Sequence, residues 1–219
     1  KIYTVSHTYK NILENRFKLK NKIKVLYPPL DMSSFYKIKK EEDINRNSLE
    51  LCYLGALTKI KNPLFAIKVL YKLKGKLDKN IKLHIIGDGY LKKKLIKTIN
   101  GLNLQNDVII YGRIDNKTAM NILNKCDILL HPSNHETFCI ALLEAKLYGL
   151  VTIANSNLHV PKWLVDFSLK LDINLWVEKI ISTKKTPKNV MNKINIVINH
   201  NFNRFLYNAL NIKLNKLYK

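Results

Sequence analysis

Two carboxylates, Glu136 and Glu144, stand in the stretch HPSNHETFCIALLEAKLYG from His131 to Gly149. At about 100° per residue, Glu144 lies a little over two helical turns beyond Glu136 and within a quadrant of the same face. Upstream, DILLH from Asp127 reads as a buried strand and Pro-Ser-Asn-His as a polar loop. The apolar-faced segment that follows reads as a helix stopped at Gly149, a residue type that readily takes the left-handed conformation closing a helix. A helix start carries unpaired N–H groups and the positive end of the macrodipole, so a diphosphate fits there without a metal. Carboxylates beside it suit the hydroxyls of a sugar or a ribose. The same residues also have a plainer use, because a Glu near a helix start is a favourable dipole partner and Glu144 could face solvent.

Three more loops follow strands. YLGALTKIKN, from Tyr53 to Asn62, offers Gly55 for close backbone approach and Lys61 as a point charge. HIIGDGYLKKKL, from His84 to Leu95, places Gly87 and Gly89 between a strand and a helix. A dinucleotide fingerprint would need a third Gly at 92, which is Lys, and an acidic ribose clamp at a strand end, whereas Asp107 opens a strand. That argues against a nicotinamide dehydrogenase. VIIYGRIDNKTA, from Val108 to Ala119, puts Gly112, Arg113 and Ile114 at a third strand end. Each of these glycines would serve equally well as a simple turn. His135, a lone loop histidine, reads as polar surface ahead of acid or base.

PSNHETFCIALLEAKLYGLVTIA resembles the PSxxExFGxxxLEAxxxGxPVIA signature of the retaining glycosyltransferases of family 4, with their E-x7-E pair at Glu136 and Glu144. GALTKIKN resembles the family's GRLxxxKG phosphate loop, with Ala56 in place of Arg and Asn62 in place of the second Gly. Cys139 stands where the family usually has Gly, and ANSNLHVPKWL keeps Pro161 of the family's GGxPE loop but has Lys162 for Glu. SHTYKNILENRFKLKNKIKVLYPPLD fits the family's crossover segment between domains.

The resemblance implies an α/β fold, a Rossmann-like parallel sheet with helices on both faces, as the C-terminal half of a GT-B fold. It divides the chain into 1–27, the end of an acceptor domain, 28–199, the nucleotide-sugar-binding domain, and 200–219, a returning helix; the chain thus reads as beginning late in a longer protein. It implies a hexosyl transfer from a nucleoside-diphosphate sugar to a hydroxyl, with no cofactor and no metal. By the same resemblance Glu136 is the catalytic carboxylate. Gly55 and Lys61 meet the diphosphate, Gly87 lines the donor cleft, and Gly112, Arg113 and Ile114 border the base. Thr137 belongs to the donor-binding turn, where the N–H groups of Phe138, Cys139 and Ile140 hold phosphate oxygens, and Glu144 binds ribose hydroxyls. Acceptors of the glycan, lipid-linked and protein kinds all stay open, as do the sugar, the base and the linkage.

At 219 residues and 47% hydrophobic content the chain can build a sizeable core. Its formal charge of +22, from 38 Lys and Arg against 16 Asp and Glu, raises nucleic acid or an anionic membrane as a partner. The excess is overwhelmingly Lys, spread through a chain rich in Lys, Asn and Ile, so most of it reads as solvated surface. No basic stretch is interleaved with aromatics, which argues against nucleic acid. Lys18, Lys20, Lys22 and Lys24, or Lys92 to Lys94, leave peripheral membrane association open. There is neither a run of about 18 apolar residues nor a signal-peptide pattern at the start, and a cytoplasmic location is the expectation. Cys52, Cys126 and Cys139 lack paired spacing and read as reduced, buried thiols, and no His or Asp cluster suggests a metal.

Periodicity predicts a helix over 7–18 and strands over 23–27 and 49–54, with a loop at 37–47 between those strands. A helix over 62–74, a strand over 81–86, a helix over 90–100 and a strand over 108–111 come next. Asp115 should cap a helix to 125, followed by strands at 127–131 and 150–154 around the central helix. Further helices are expected at 172–183 and 202–219, with a helix or loop at 187–199. Strands alternating with helices imply a parallel sheet whose ligands lie at the strands' carboxyl ends. Three rival readings remain: a donor-binding module without turnover, a basic nucleic-acid-binding protein, and a nucleotide-sugar epimerase on the same fold.

Overall fold

Apolar runs too short for helices make the strands, and in a parallel sheet both faces of such runs are buried. The computed structural model describes residues 2–26 and 48–183. The first segment pairs β1 (Ile2–Thr4) with β2 (Ile23–Val25) in parallel around α1 (His7–Phe17). Ser6 caps α1 by accepting from the Tyr9 N–H, and its hydroxyl donates to the Thr137 carbonyl at 2.9 Å. The expected strand to Tyr27 stops at Val25, and β1 was not foreseen.

The second segment runs β3 (Ser48–Leu54), α2 (Pro63–Lys74), β4 (Asn80–Ile86), α3 (Lys92–Gly101), β5 (Val108–Gly112) and α4 (Asn116–Lys125). It continues with β6 (Ile128–His131), α5 (Ile140–Leu147), β7 (Val151–Asn155), β8 (Phe167–Leu169) and α6 (Ile173–Ser182). The strands form one sheet in the order β5-β4-β3-β6-β7-β8, every pair parallel. Strand alternation sorts the side chains. Leu51, Tyr53, Ile128, Leu130 and Ile153 enter one core with α2, α3 and α6. Cys52, Leu129 and Ala154 enter the other with α4 and α5. Phe65 of α2 meets Trp176 of α6 edge to face, with ring centroids 5.0 Å apart.

The expected element boundaries hold to within one or two residues except at the central helix, which begins at Ile140, four residues past Glu136, because Cys139 in the left-handed region sets its start. Asp115 accepts from the Thr118 N–H at 3.0 Å as the N-cap of α4. Gly149 ends the central helix in the left-handed region at φ 72°. Its N–H reaches the Lys146 carbonyl and that of Leu150 reaches Ala145, the paired bonds of a Schellman cap. β8 was missed. It is three residues long and depends on Asp166, which accepts from the Thr152 N–H at 2.9 Å and pairs with the buried Lys146 of α5. The expectations for residues 37–47, 187–199 and 202–219, including an apolar face on the last of these, lie outside the described residues.

The strand order reverses between β3 and β6, the switch point where ligands of open α/β sheets bind. These neighbours pair only at Leu51 with Ile128 and Cys52 with Leu129, so the loops beyond them are free to diverge. Asp127, just ahead of β6, closes the other end by accepting from the Glu50 N–H at 2.9 Å.

Over the β3 side the loops are in backbone contact. Gly55 N–H donates to the Ile86 carbonyl and Gly87 N–H to the Gly112 carbonyl, each at 3.0 Å. A Cβ on Gly87 would stand 2.0 Å from the Gly55 oxygen, whereas one on Gly112 would meet only side-chain tips, Lys92 at 3.4 Å and Asp88 at 3.8 Å. Gly87→Ala must therefore move backbone and should cost about 1–3 kcal/mol or more. Gly112→Ala should lose only the left-handed strain of about 1–2 kcal/mol. Gly101→Ala, with nothing within 4 Å, should leave the melting temperature nearly unchanged. Thermal melts of the three variants check this order, and a Gly87→Ala protein as stable as the parent would refute the close-contact argument.

Candidate active site

Two loops meet at the switch point. The loop after β3 brings Lys61, and the loop after β6 brings Glu136. The second is stitched to the first by main-chain and short side-chain bonds. Asn134 N–H donates to the Ile60 carbonyl at 2.7 Å, and the Ser133 hydroxyl, fully buried, lies 3.3 Å from the same oxygen and 3.0 Å from the His135 carbonyl. Asn155, at the end of β7, donates from its amide to the Ser133 carbonyl at 2.9 Å. Tyr53 fixes the β3 side by donating its hydroxyl to the Ala56 carbonyl at 2.9 Å. Burial, then the Glu136 charge, holds this phenol protonated.

The stitching brings Lys61 Nζ to 2.5 Å from Glu136 Oε1, and His131 Nε2 to 2.9 Å from the same oxygen. Burial alone would raise the carboxyl's pKa; the hydrogen bonds from His131 and Lys61 and their positive charge outweigh it and hold Glu136 below the usual carboxylate range. His131 was not among the sequence candidates. The available signal was its place as the last residue of a buried strand, at the carboxyl end of the sheet. The neighbouring His135 is exposed, as a polar surface residue.

Cys139 corrects a second expectation. It takes a left-handed conformation at φ 69° just before α5, a region in which a Cβ is strained. Its Sγ lies 3.3 Å from His131 Nε2, and the thiol is driven up in pKa, first by burial and then by the Glu136 charge. Folding thus gathers His131, Glu136 and Cys139, whose ligand atoms all lie within 4.8 Å of one another. The expectation that no metal-competent cluster exists fails here, because spacing along a strand, a loop and a helix cap does not display proximity. The three cysteines are buried as expected, and no disulfide joins them.

Asn62 repeats the backbone demand at the other loop. At φ 52° it is the N-cap position of α2, left-handed where the resembled phosphate loop has Gly. Asn tolerates that region better than most residues. Thr137 carries its carbonyl toward Ser6, Phe138 is buried against the α4 and α5 core, and Ile140 opens α5 with its side chain exposed.

A cleft of about 280 Å³ lies along the ends of β3, β4 and β5. Gly55, Gly87, Gly112, Arg113, Ile114 and Glu144 line it, so the structure brings these sequence candidates together. Lys61 and Glu136 are not in that lining and form their own pair beside it. Glu144 reaches the cleft from the second turn of α5. Its carboxyl group has neither hydrogen bond nor ion pair among the described residues, and burial raises its pKa to about 7. Tyr148, one turn on, is raised to about 12 by burial and by the Glu144 charge. The arrangement offers a bare carboxylate, main-chain groups at three glycine turns, and a cation held beside an ionised carboxylate.

No helix among the described residues is long and apolar enough to cross a membrane. The family described as Glycosyl transferases group 1 matches residues 34–206. An uncharacterised glycosyltransferase of Methanocaldococcus jannaschii is 36% identical over 186 residues, 80% of this chain and 45% of that protein. The capsular polysaccharide biosynthesis glycosyltransferase CapH of Staphylococcus aureus is 26% identical over 200 residues, 84% of this chain and 54% of that one. The chain spans about half the length of these curated relatives. Among solved structures, a glycosyltransferase from Rickettsia africae superposes with a TM-score of 0.75 at 21% identity, covering 97% of this chain and 62% of that one. The lipopolysaccharide outer core galactosyltransferase WaaB gives 0.70 at 22% identity, covering 96% and 61%. These neighbours share the α/β sheet of GT-B glycosyltransferases. With the family match extending over most of its length, the chain belongs to the group 1 glycosyl transferases.

Proposed function

We propose that this chain is the donor-binding part of a retaining, family 4 type glycosyltransferase that moves a hexosyl unit from a nucleoside-diphosphate sugar to a hydroxyl acceptor. The observation that carries the reading is Glu144, a half-buried carboxylate in the cleft wall that finds no hydrogen-bond donor among the described residues. A ribose supplies two such donors. The base then lies against Gly112, Arg113 and Ile114, where main-chain groups read its edge, and the diphosphate runs past Gly55 toward the start of α5.

There the amides of Phe138, Cys139 and Ile140 meet phosphate oxygens, aided by the positive helix end. Lys61 leaves Glu136 to neutralise the departing diphosphate. Glu136, freed from the ammonium and still oriented by His131, faces the sugar near its anomeric carbon, where a carboxylate stabilises oxocarbenium character. The helix-start amides and the His131-held carboxylate are fixed before the reaction, which is what gives electrostatic stabilisation its effect, and Lys61 is the one group that changes partner. Capsular polysaccharide biosynthesis in one relative and lipopolysaccharide outer core galactosyl transfer in a structural neighbour make a glycan or glycolipid acceptor the leading choice. Work at the cytoplasmic membrane surface fits such an acceptor and the excess of Lys.

Calorimetry with a panel of nucleoside diphosphates and their sugars tests this reading. One base family should bind. Lys61→Ala should weaken it about 10- to 100-fold, the cost of removing a hydrogen bond to a charged group. Glu144→Ala should weaken the nucleoside as well as the diphosphate. In the full-length protein, Glu136→Gln should keep donor binding and lower kcat by about 100-fold or more. Donor binding unchanged by both Lys61→Ala and Glu144→Ala would sink the assignment, and binding without transfer would favour a module without turnover.

Glu144 also sets a pH signature. Its folded pKa, about 7, stands above the ordinary 4.5, so its contribution to stability is full below the unfolded value and lost as pH rises through the folded one. Relative to Glu144→Gln, the wild type should lose thermal stability between about pH 4.5 and 7 and run parallel above that. Melts across this range check it; parallel curves throughout would show that the carboxyl is not desolvated.

A further inference from the structure

Three different donor atoms converge beside the switch point. His131 Nε2 lies 2.9 Å from Glu136 Oε1 and 3.3 Å from Cys139 Sγ. An imidazole nitrogen has one hydrogen or one lone pair in that direction, yet two heavy atoms share it. The side chains come from the end of β6, the following loop and the residue before α5, and His131 and Cys139 are buried at 3% and 8% exposure. Cys139 holds its sulfur there by adopting a backbone conformation that strains a Cβ. Strain, burial and convergence at one point are features of a ligand set.

We propose that His131, Glu136 and Cys139 form a binding site for a soft divalent cation of the Zn²⁺ type. One nitrogen, one oxygen and one sulfur match the donor preference of zinc, with a water completing four-coordination. Tetrahedral zinc at about 2.0–2.3 Å from its ligands separates them by about 3.3–3.6 Å, so the two His131 pairs need to open by about half an ångström or less, and the Glu136–Cys139 pair, within 4.8 Å, needs to settle to that range. The cation enters from the Lys61 side, where the ammonium, 30% exposed, caps Glu136. Binding displaces that ammonium and releases the Cys139 thiol proton to solvent; no electron moves. The cation then holds the carboxylate assigned above to the transferred sugar and repels Lys61 from it, so the occupied site is the inhibited one. That consequence rests on the proposed role of Glu136, whereas the binding itself does not.

Co²⁺ and Zn²⁺ titrations of the whole chain test the site. Co²⁺ should bind one equivalent with a thiolate-to-cobalt charge-transfer absorption that Zn²⁺ abolishes. The absorption should persist in Cys126→Ser, whose thiol lies elsewhere in the core, and vanish in Cys139→Gly, which relieves the backbone strain. Lys61→Ala, which removes the competing charge, should bind Zn²⁺ about 10-fold more tightly. Absence of the absorption in the wild type, its survival in Cys139→Gly, or unchanged affinity in Lys61→Ala overturns the proposal. Nucleoside diphosphate binding to the metal-free protein is read alongside: its absence counts against the donor reading while the cobalt band still decides the metal site.

Discussion

An ionised carboxylate in a half-closed crevice needs a partner, and Glu136 finds it in Lys61 across the switch point of the sheet. The two residues lie 75 positions apart in sequence and come from loops on strands that diverge after two paired residues. Their meeting therefore depends on everything that fixes those loops. Tyr53 holds one from beneath, Ile60 accepts from the other, and Ser133 and Asn155 lock the second loop onto the end of β7. A local loss at any of these points would leave a buried charge without its counterion, which is why so many short bonds surround one ion pair.

The glycine turns solve a different problem. Gly55, Gly87 and Gly112 lie in one cleft lining because their loops touch through main-chain atoms, with no room for a Cβ at the crossing of Gly87 over Gly55. Bare backbone is thereby left facing the cleft. Glu144 supplies the exception, a charged group whose burial already costs stability before any ligand arrives.

Asn62 and Cys139 show two answers to one backbone demand. Both occupy left-handed positions where the resembled motifs carry glycine, and both stand at the start of a helix that borders the site. Asn is at home in that region. Cys is not, and its thiol, forced against His131, changes the chemistry beside Glu136.

The alternation of strands and helices, the caps at Asp115 and Gly149, and the candidacy of residues at strand ends were legible from the residues alone, because these follow from local periodicity and turn chemistry. A long ordered motif also made Glu136 and Glu144 legible as a pair, but the helical spacing between them does not apply, because α5 begins at Ile140 and leaves Glu136 in the loop before it. Tertiary structure decided what each of them touches. β8 is anchored by Asp166, whose partner Lys146 lies 20 positions away on α5, and His131 became a neighbour of Glu136 only because a strand end and a loop fold back on each other. The division has a physical cause: dihedral preferences and hydrophobic period act over a few residues, whereas the partner of a buried charge is chosen by packing between segments far apart in the chain.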